Sequence, residues 1–197
     1  MKKVALGLMT VALALSMLSG IVFAAVSGAK PVKGFEPMLI TNAGQGPGGK
    51  MGRLLISQSK AVTAFDYNAE PTVKDLQAKP YKTLMVVIGS SAKGLGASGI
   101  TIDQEIARLD TMIKEAKRLK MQIVAAQIEG KARRGKPGSA DERSIDAIAP
   151  YADYLIIKKD ANEDGRFTKI AQQTKAPLTI IDETVDFMEV IKTMYAK

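Results

Sequence analysis

The chain has 197 residues, with 28 Lys and Arg against 20 Asp and Glu, a net charge of +8, and neither His nor Cys. Without those two residue types there can be no Ser-His triad, no Cys nucleophile, no ordinary His or Cys zinc site and no disulfide. The basic balance favours anionic partners, and no cofactor is expected.

The N-terminus reads as an export leader. Lys2 and Lys3 are followed by the uncharged apolar run "VALGLMTVALALSMLSGIVF", and "VFA" closes it with residues that signal peptidase accepts. The expectation is a signal peptide over residues 1–24, cleaved after Ala24, and a mature chain outside the cytoplasm. The alternative is a retained anchor, since about 20 apolar residues suffice to span a bilayer. No cysteine stands near the cut, which excludes a lipid-anchored lipoprotein. For an exported basic protein the expected partner is an anionic small molecule or an envelope component and not nucleic acid. Membrane contact is expected only through the leader, if it is uncleaved. Residues 25–36, rich in small residues, Pro, Gly and Lys, read as a linker.

From residue 37 onward apolar runs alternate with helical patterns. Strands are predicted at 37–41, 61–65, 82–89, 121–128, 152–158 and 176–182, about six in all. Helices are predicted at 48–60, 102–119, 139–150 and 165–175, with a short turn near 73–76 and a last helix capped by Thr184. The helix at 102–119 is the clearest, with Ile102, Ile106, Leu109, Ile113 and Ala116 on one face. Thr101 and Gln104 have the spacing of a capping box, and Asp110 and Lys114 that of a solvated i, i+4 pair. Strands separated by helices imply parallel crossovers, and continuous apolar strands imply a sheet covered on both faces. The predicted fold is a single α/β domain over 37–197. It is a three-layer α/β/α sandwich with a mainly parallel doubly wound sheet, Rossmann-like or flavodoxin-like.

In such sheets ligands sit beyond the carboxyl ends of the strands, which selects four loops. "TNAGQGPGG" (41–49) offers Asn42 and Gln45. "GSSAKGLGASG" (89–99) offers Ser90, Ser91, Lys93, Gly94 and Gly96, a flexible loop able to turn amides and donors towards a phosphate or carboxylate. Its "GLGASG" is an imperfect G-x-G-x-x-G, and a plain glycine turn is the structural alternative. "KARRGK" (131–136) offers Arg133 and Arg134 as anion clamps, because a guanidinium can grip an oxyanion through two parallel bonds. A solvated basic loop is the alternative there. "DANEDG" (160–165) opens like a calcium loop, yet position twelve is Ala171 where a bidentate Glu is needed. Asn162 and Asp164 are therefore expected to turn the chain and cap a helix, with no metal. Asp66, Glu129, Asp160 and Asp182 fall at strand ends, and acid/base work would require two of them to converge.

Taken together, "KTLMVVIGSSAKGLGASGI", "EIARLDTMIKEAKR", "IEGKARRG" and "DGRFTKIAQQTKAPLTI" resemble a family of exported bacterial proteins known as a domain of unknown function. In that family a strand runs into K-G-L-G-A-x-G-I, a later strand into A-R-R-G, and D-G-x-F-T-x-I-A opens a late helix. The resemblance spans roughly Pro37 to Ile181. The family pattern carries a histidine where this chain has Gln127, so no catalytic role passes through that position. The resemblance implies an export signal and a single α/β domain, and supplies no activity. Three functional classes follow. The first is a non-catalytic binding domain for an anionic small molecule or envelope group. The alternatives are a carboxylate- or metal-dependent hydrolase or transferase, and a structural partner-binding module of the envelope.

Overall fold

Strand β4 (Thr83–Ile88) sets the layering. Leu84, Val86 and Ile88 point into one apolar cluster and Met85 and Val87 into another, because successive side chains of a strand alternate between faces. The computed structural model describes residues 25–196; the predicted leader and its cleavage after Ala24 fall outside them. The other strands are β1 (Val26–Gly28), β2 (Met38–Ala43), β3 (Phe65–Tyr67), β5 (Gln122–Gln127), β6 (Tyr154–Lys158) and β7 (Leu178–Ile181). The helices are α1 (Gly48–Ser59), α2 (Val73–Gln77), α3 (Ala92–Ala97), α4 (Ile102–Arg118), α5 (Ala140–Ile148), α6 (Arg166–Thr174) and α7 (Phe187–Met194).

The described strands form one sheet in the order β1-β7-β6-β5-β4-β2-β3. All pairs are parallel except β1 with β7. Helices α2, α4, α5 and α6 cover one face, and α1 and α7 the other. The fold is therefore the expected three-layer α/β/α sandwich. From β2 the chain runs outward through α1 to β3, then crosses back to β4 on the far side of β2. Strand order thus reverses between β2 and β4, where open α/β sheets place their ligand crevice.

Several local expectations hold. Thr101 and Gln104 form the reciprocal capping box of α4, Lys114 pairs with Asp110 at 2.6 Å, and Ser139 caps α5. Four readings are corrected. Residues 25–36 are no tether: β1 extends the sheet, Ala29 N–H donates to Leu178 O at 2.8 Å and Gly34 N–H to Met194 O at 2.9 Å. The second predicted strand begins only at Phe65, because α1 ends in a left-handed Lys60 (φ 57°) and Glu36 holds the Ala64 amide at 2.9 Å. Residues 92–97 are helical, since Ser91 Oγ accepts from Gly94 N–H at 3.1 Å and caps the turn. Thr184 does not cap the last helix. It lies in a 3₁₀ turn and its hydroxyl donates to Ile128 O at 2.7 Å. Among the described residues no helix is long and apolar enough to cross a membrane.

Candidate functional site

The loops after β2 and β4 are joined through their backbones. Gly89 N–H donates to Ala43 O (3.0 Å), Ser91 N–H to Gly44 O (2.8 Å) and Gly46 N–H to Gly89 O (2.9 Å). Gln45, at φ 57°, bridges to Ser90. Beneath them lies Glu105, fully buried in the first turn of α4. Its carboxylate accepts from Gly44 N–H at 2.9 Å and from Gln45 Nε2 at 3.3 Å. Arg108 supplies the counter-charge through Nε at 2.8 Å and also donates to Asn42 O at 3.0 Å. A buried carboxylate is tolerated only when paired and hydrogen-bonded in this way. Glu105 and Arg108 thus fix the shape of the first loop.

A second carboxylate fastens the loop after β5. Glu129 Oε1 accepts from Gly48 N–H at the start of α1 (3.0 Å), and Oε2 accepts from Arg133 Nε (2.8 Å). Arg133 Nη1 donates to Ser90 O at 2.9 Å. The amino end of α1, which attracts anions through its free amides, is therefore filled by a side chain of this chain. Gln127, fully buried, donates to Gly130 O at 2.7 Å and accepts from Gly130 N–H at 3.0 Å. Its role is to close that loop.

Above this frame opens a cleft of about 510 Å³ at the β2/β4 switch point. Asn42, Gln45, Ser91, Lys93, Gly94 and Arg133 line it, six of the nine residues selected from the sequence. The other three are placed elsewhere. Ser90 is buried beneath the cleft, its amide donating to Asp141 at 2.7 Å while its Oγ has no partner. Gly96 faces open space. Arg134 turns away, its side chain 13% exposed. It donates to Glu142 at 2.7 Å and to Asp164 at 2.6 Å, and its guanidinium lies 5.7 Å from the centre of the Phe167 ring. Arg134 holds the Asp164 carboxyl down at about 2, and Asp164 with Glu142 raises the guanidinium further above its ordinary range. Arg134 is thus a structural arginine, and the expectation of a second clamp in the cleft is withdrawn.

The sequence reading missed Lys50, Tyr67, Glu70 and Ser98, which also line the cleft. Tyr67 Oη accepts from Asn42 Nδ2 at 3.3 Å, and Ser98 Oγ donates to Glu70 across the mouth. Lys50 stands in the predicted first helix, but nothing in the pattern said which loops its end would face. Glu105 did leave a signal. It stands three residues after Ile102 and four before Leu109, an acid on an apolar stripe.

Lys50 and Lys93 have no ion-pair partner among the described residues, and Arg133 keeps Nη2 without a hydrogen bond. The strand-end carboxylates do not converge. Asp66 binds Lys79 and Tyr81, which hold it below the usual range; Glu129 binds Arg133, Asp160 binds Lys158 and Asp182 binds Lys159. In the calcium-like segment Asn162 Oδ1 accepts from Phe167 N–H at 2.8 Å, capping α6, and Asp164 is taken by Arg134. Among the described residues no group of three acidic side chains could hold a metal ion.

A family model described as a domain of unknown function, DUF6305, matches residues 35–195. The chain belongs to the DUF6305 family. No curated protein matches it. Among solved structures, the DUF6305 domain is similar to a psychrotrophic esterase EstA from Pseudoalteromonas sp., at 12% identity over 80% of this chain and 93% of that one, with a TM-score of 0.37. It is also similar to the acetyl xylan esterase AlAXEase, at 11% identity over 81% and 97% with a TM-score of 0.40. A third similar structure is TesA, at 13% identity over 72% and 77% with a TM-score of 0.29. Likenesses this distant carry no argument about the chemistry of the cleft.

Proposed function

We propose that this DUF6305 domain is a non-catalytic binding domain, exported by its leader, that takes a small anionic molecule in the cleft between the loops after β2 and β4. One observation carries the reading: Lys50, Lys93 and the free edge of Arg133 line a single cleft, and neither lysine has an acidic partner among the described residues. Glu70, the acid on the same lining, is engaged by Ser98. Pro47, Tyr67, Ala69 and Ala97 give the remaining walls an apolar character. The ligand this favours has an apolar or aromatic body and one carboxylate or phosphate. Burying the body supplies affinity, and the charged group fixes orientation. The hydrolase reading is carried less well, because the strand-end carboxylates bind separate cations and Ser91 is spent on capping the turn at Gly94. Ser98 does have the Glu70 carboxylate beside it, but no third side chain among the described residues hydrogen-bonds and orients that carboxylate.

The test is a thermal-shift screen of the protein against aliphatic and aromatic carboxylates and phosphate monoesters. A ligand at a hundredfold its Kd stabilises the native state by about 2.7 kcal/mol. At least one member should raise the melting temperature. Lys50→Ala and Lys93→Ala should each weaken its binding about tenfold, as loss of a charged hydrogen bond of ~1.5 kcal/mol implies. Both lysines are exposed, so the ligand-free melting temperature should stay within a degree or so of wild type. Binding unchanged in both variants would overturn the reading.

A further inference from the structure

The opposite edge of the sheet carries a second feature that the cleft does not use. A hollow of about 620 Å³ opens at the amino ends of the parallel strands. Phe35 enters it just before β2, Lys82 just before β4, and Lys120 just before β5, with Lys117 reaching in from the last turn of α4. Phe35 is 47% exposed and Tyr151, on the adjacent turn, 46% exposed. Lys117 Nζ stands 4.6 Å from the centre of the Tyr151 ring.

Lys82, Lys117 and Lys120 are exposed and have no ion-pair partner among the described residues. The acid on the same lining, Asp153, is committed to the Ile123 amide at 2.8 Å. The carboxyl end of α4 accounts for Lys117 and Lys120, since cations are favoured there. It does not account for Lys82, nor for two exposed aromatic rings on the same edge. Exposed aromatic rings among lysines without acidic partners are the composition of a surface that meets an anionic bilayer. The rings sit at headgroup level and the ammonium groups meet phosphates.

We propose that this amino edge docks on an anionic phospholipid surface. This contact belongs to the chain cleaved after Ala24, because Ala25 O accepts from Asp182 N–H at the carboxyl edge and a retained leader would start from the edge opposite the hollow. The cleft at the carboxyl edge would face away from the bilayer and stay open to solvent. The proposal does not depend on the cleft binding anything.

The chain has no tryptophan, so a single one reports locally. Phe35→Trp places it in the hollow, and Val185→Trp, at a site 53% exposed beyond β7 on the opposite edge, is the control. Vesicles of phosphatidylglycerol and phosphatidylcholine should shift the Phe35→Trp emission to the blue. Pure phosphatidylcholine should not, and Val185→Trp should respond to neither. Adding Lys82→Glu, Lys117→Glu and Lys120→Glu should cost at least about a hundredfold in vesicle affinity, because each lysine near an anionic surface contributes about 1 kcal/mol, or about fivefold, and each new carboxylate is repelled besides. The proposal fails if Phe35→Trp is silent, if Val185→Trp shifts equally, or if the three reversals change nothing. It also fails if soluble pyrophosphate alone reproduces the shift, which would make the hollow a site for a free anion.

Discussion

In the glycine-rich stretch after β2, a Cβ on Gly46 would stand 2.4 Å from Gly89 O, one on Gly48 would stand 2.7 Å from Glu129 Oε1, and one on Gly49 would stand 1.6 Å from Asn42 Oδ1. In the stretch after β4, Gly94 is as crowded, 1.9 Å from Gln45 O, but Gly96 and Gly99 meet nothing within 4 Å. The two stretches look alike in sequence and differ in kind. The first is a packed joint, in which glycine makes room for a neighbouring carbonyl, a carboxylate and an amide. The second begins as part of that joint and ends as a short helix with an open flank. Glycine density marks close approach as readily as mobility, and only the third dimension separates them.

The joint should break hardest at Glu129. Glu129→Ala removes the acceptor of the Gly48 amide and leaves Arg133 without its carboxylate. The Glu129 side chain is 8% exposed and that of Arg133 24%, so the loss should approach that of a buried pair, about 3 kcal/mol. Urea unfolding monitored by circular dichroism would measure it. A loss under 1 kcal/mol would mean that the glycines around Glu129 pack for some other reason.

Gly94→Ala should come next. The obstacle is a backbone carbonyl of a residue already held at positive φ, so it cannot give way like the end of a flexible side chain. Overpacking of this kind costs about 1–3 kcal/mol, and the variant should also weaken anion binding, because Gln45 and Gly94 both line the cleft. An unchanged melting temperature would show that the two loops can separate and would return the stretch after β4 to the flexible loop its composition suggested.

The layered fold was legible because its signals are local. β4, β5 and β6 are unbroken apolar runs, α4 has a stripe and a capping box, and alternation of the two forces parallel crossovers. β1 was not legible, since three residues rich in small side chains carry no period. The strand exists because the edge of β7 offers unpaired backbone groups. At the site, the loops could be chosen by the carboxyl-edge rule, but the fate of each side chain could not. Arg133 and Arg134 are adjacent and identical in sequence terms. One ends a 3₁₀ turn and faces the cleft, while the next is extended (φ −125°, ψ 152°) and turns to Glu142 and Asp164. Those acids lie 8 and 30 residues on, a distance no local pattern spans.

The smallest predicted effect separates tolerance from use at the open flank. Gly96 lies inside α3, its φ is outside the left-handed region, and a Cβ there meets nothing. Replacing a helix-interior glycine by alanine under those conditions stabilises a protein by roughly 0.4–1 kcal/mol, chiefly by restricting the unfolded chain. Gly99 is the internal control. It is equally open, but its φ is +67°, so Gly99→Ala should cost about 1 kcal/mol through backbone strain alone. The pair should therefore move in opposite directions in the same unfolding assay, at positions three residues apart with equal free space. Anion binding should be unaffected by Gly96→Ala, since Gly96 does not line the cleft. If the variant is stabilised yet binds its ligand more weakly, the flank beside Gly96 is itself a contact surface, and the binding site extends beyond the cleft along the outer side of α3.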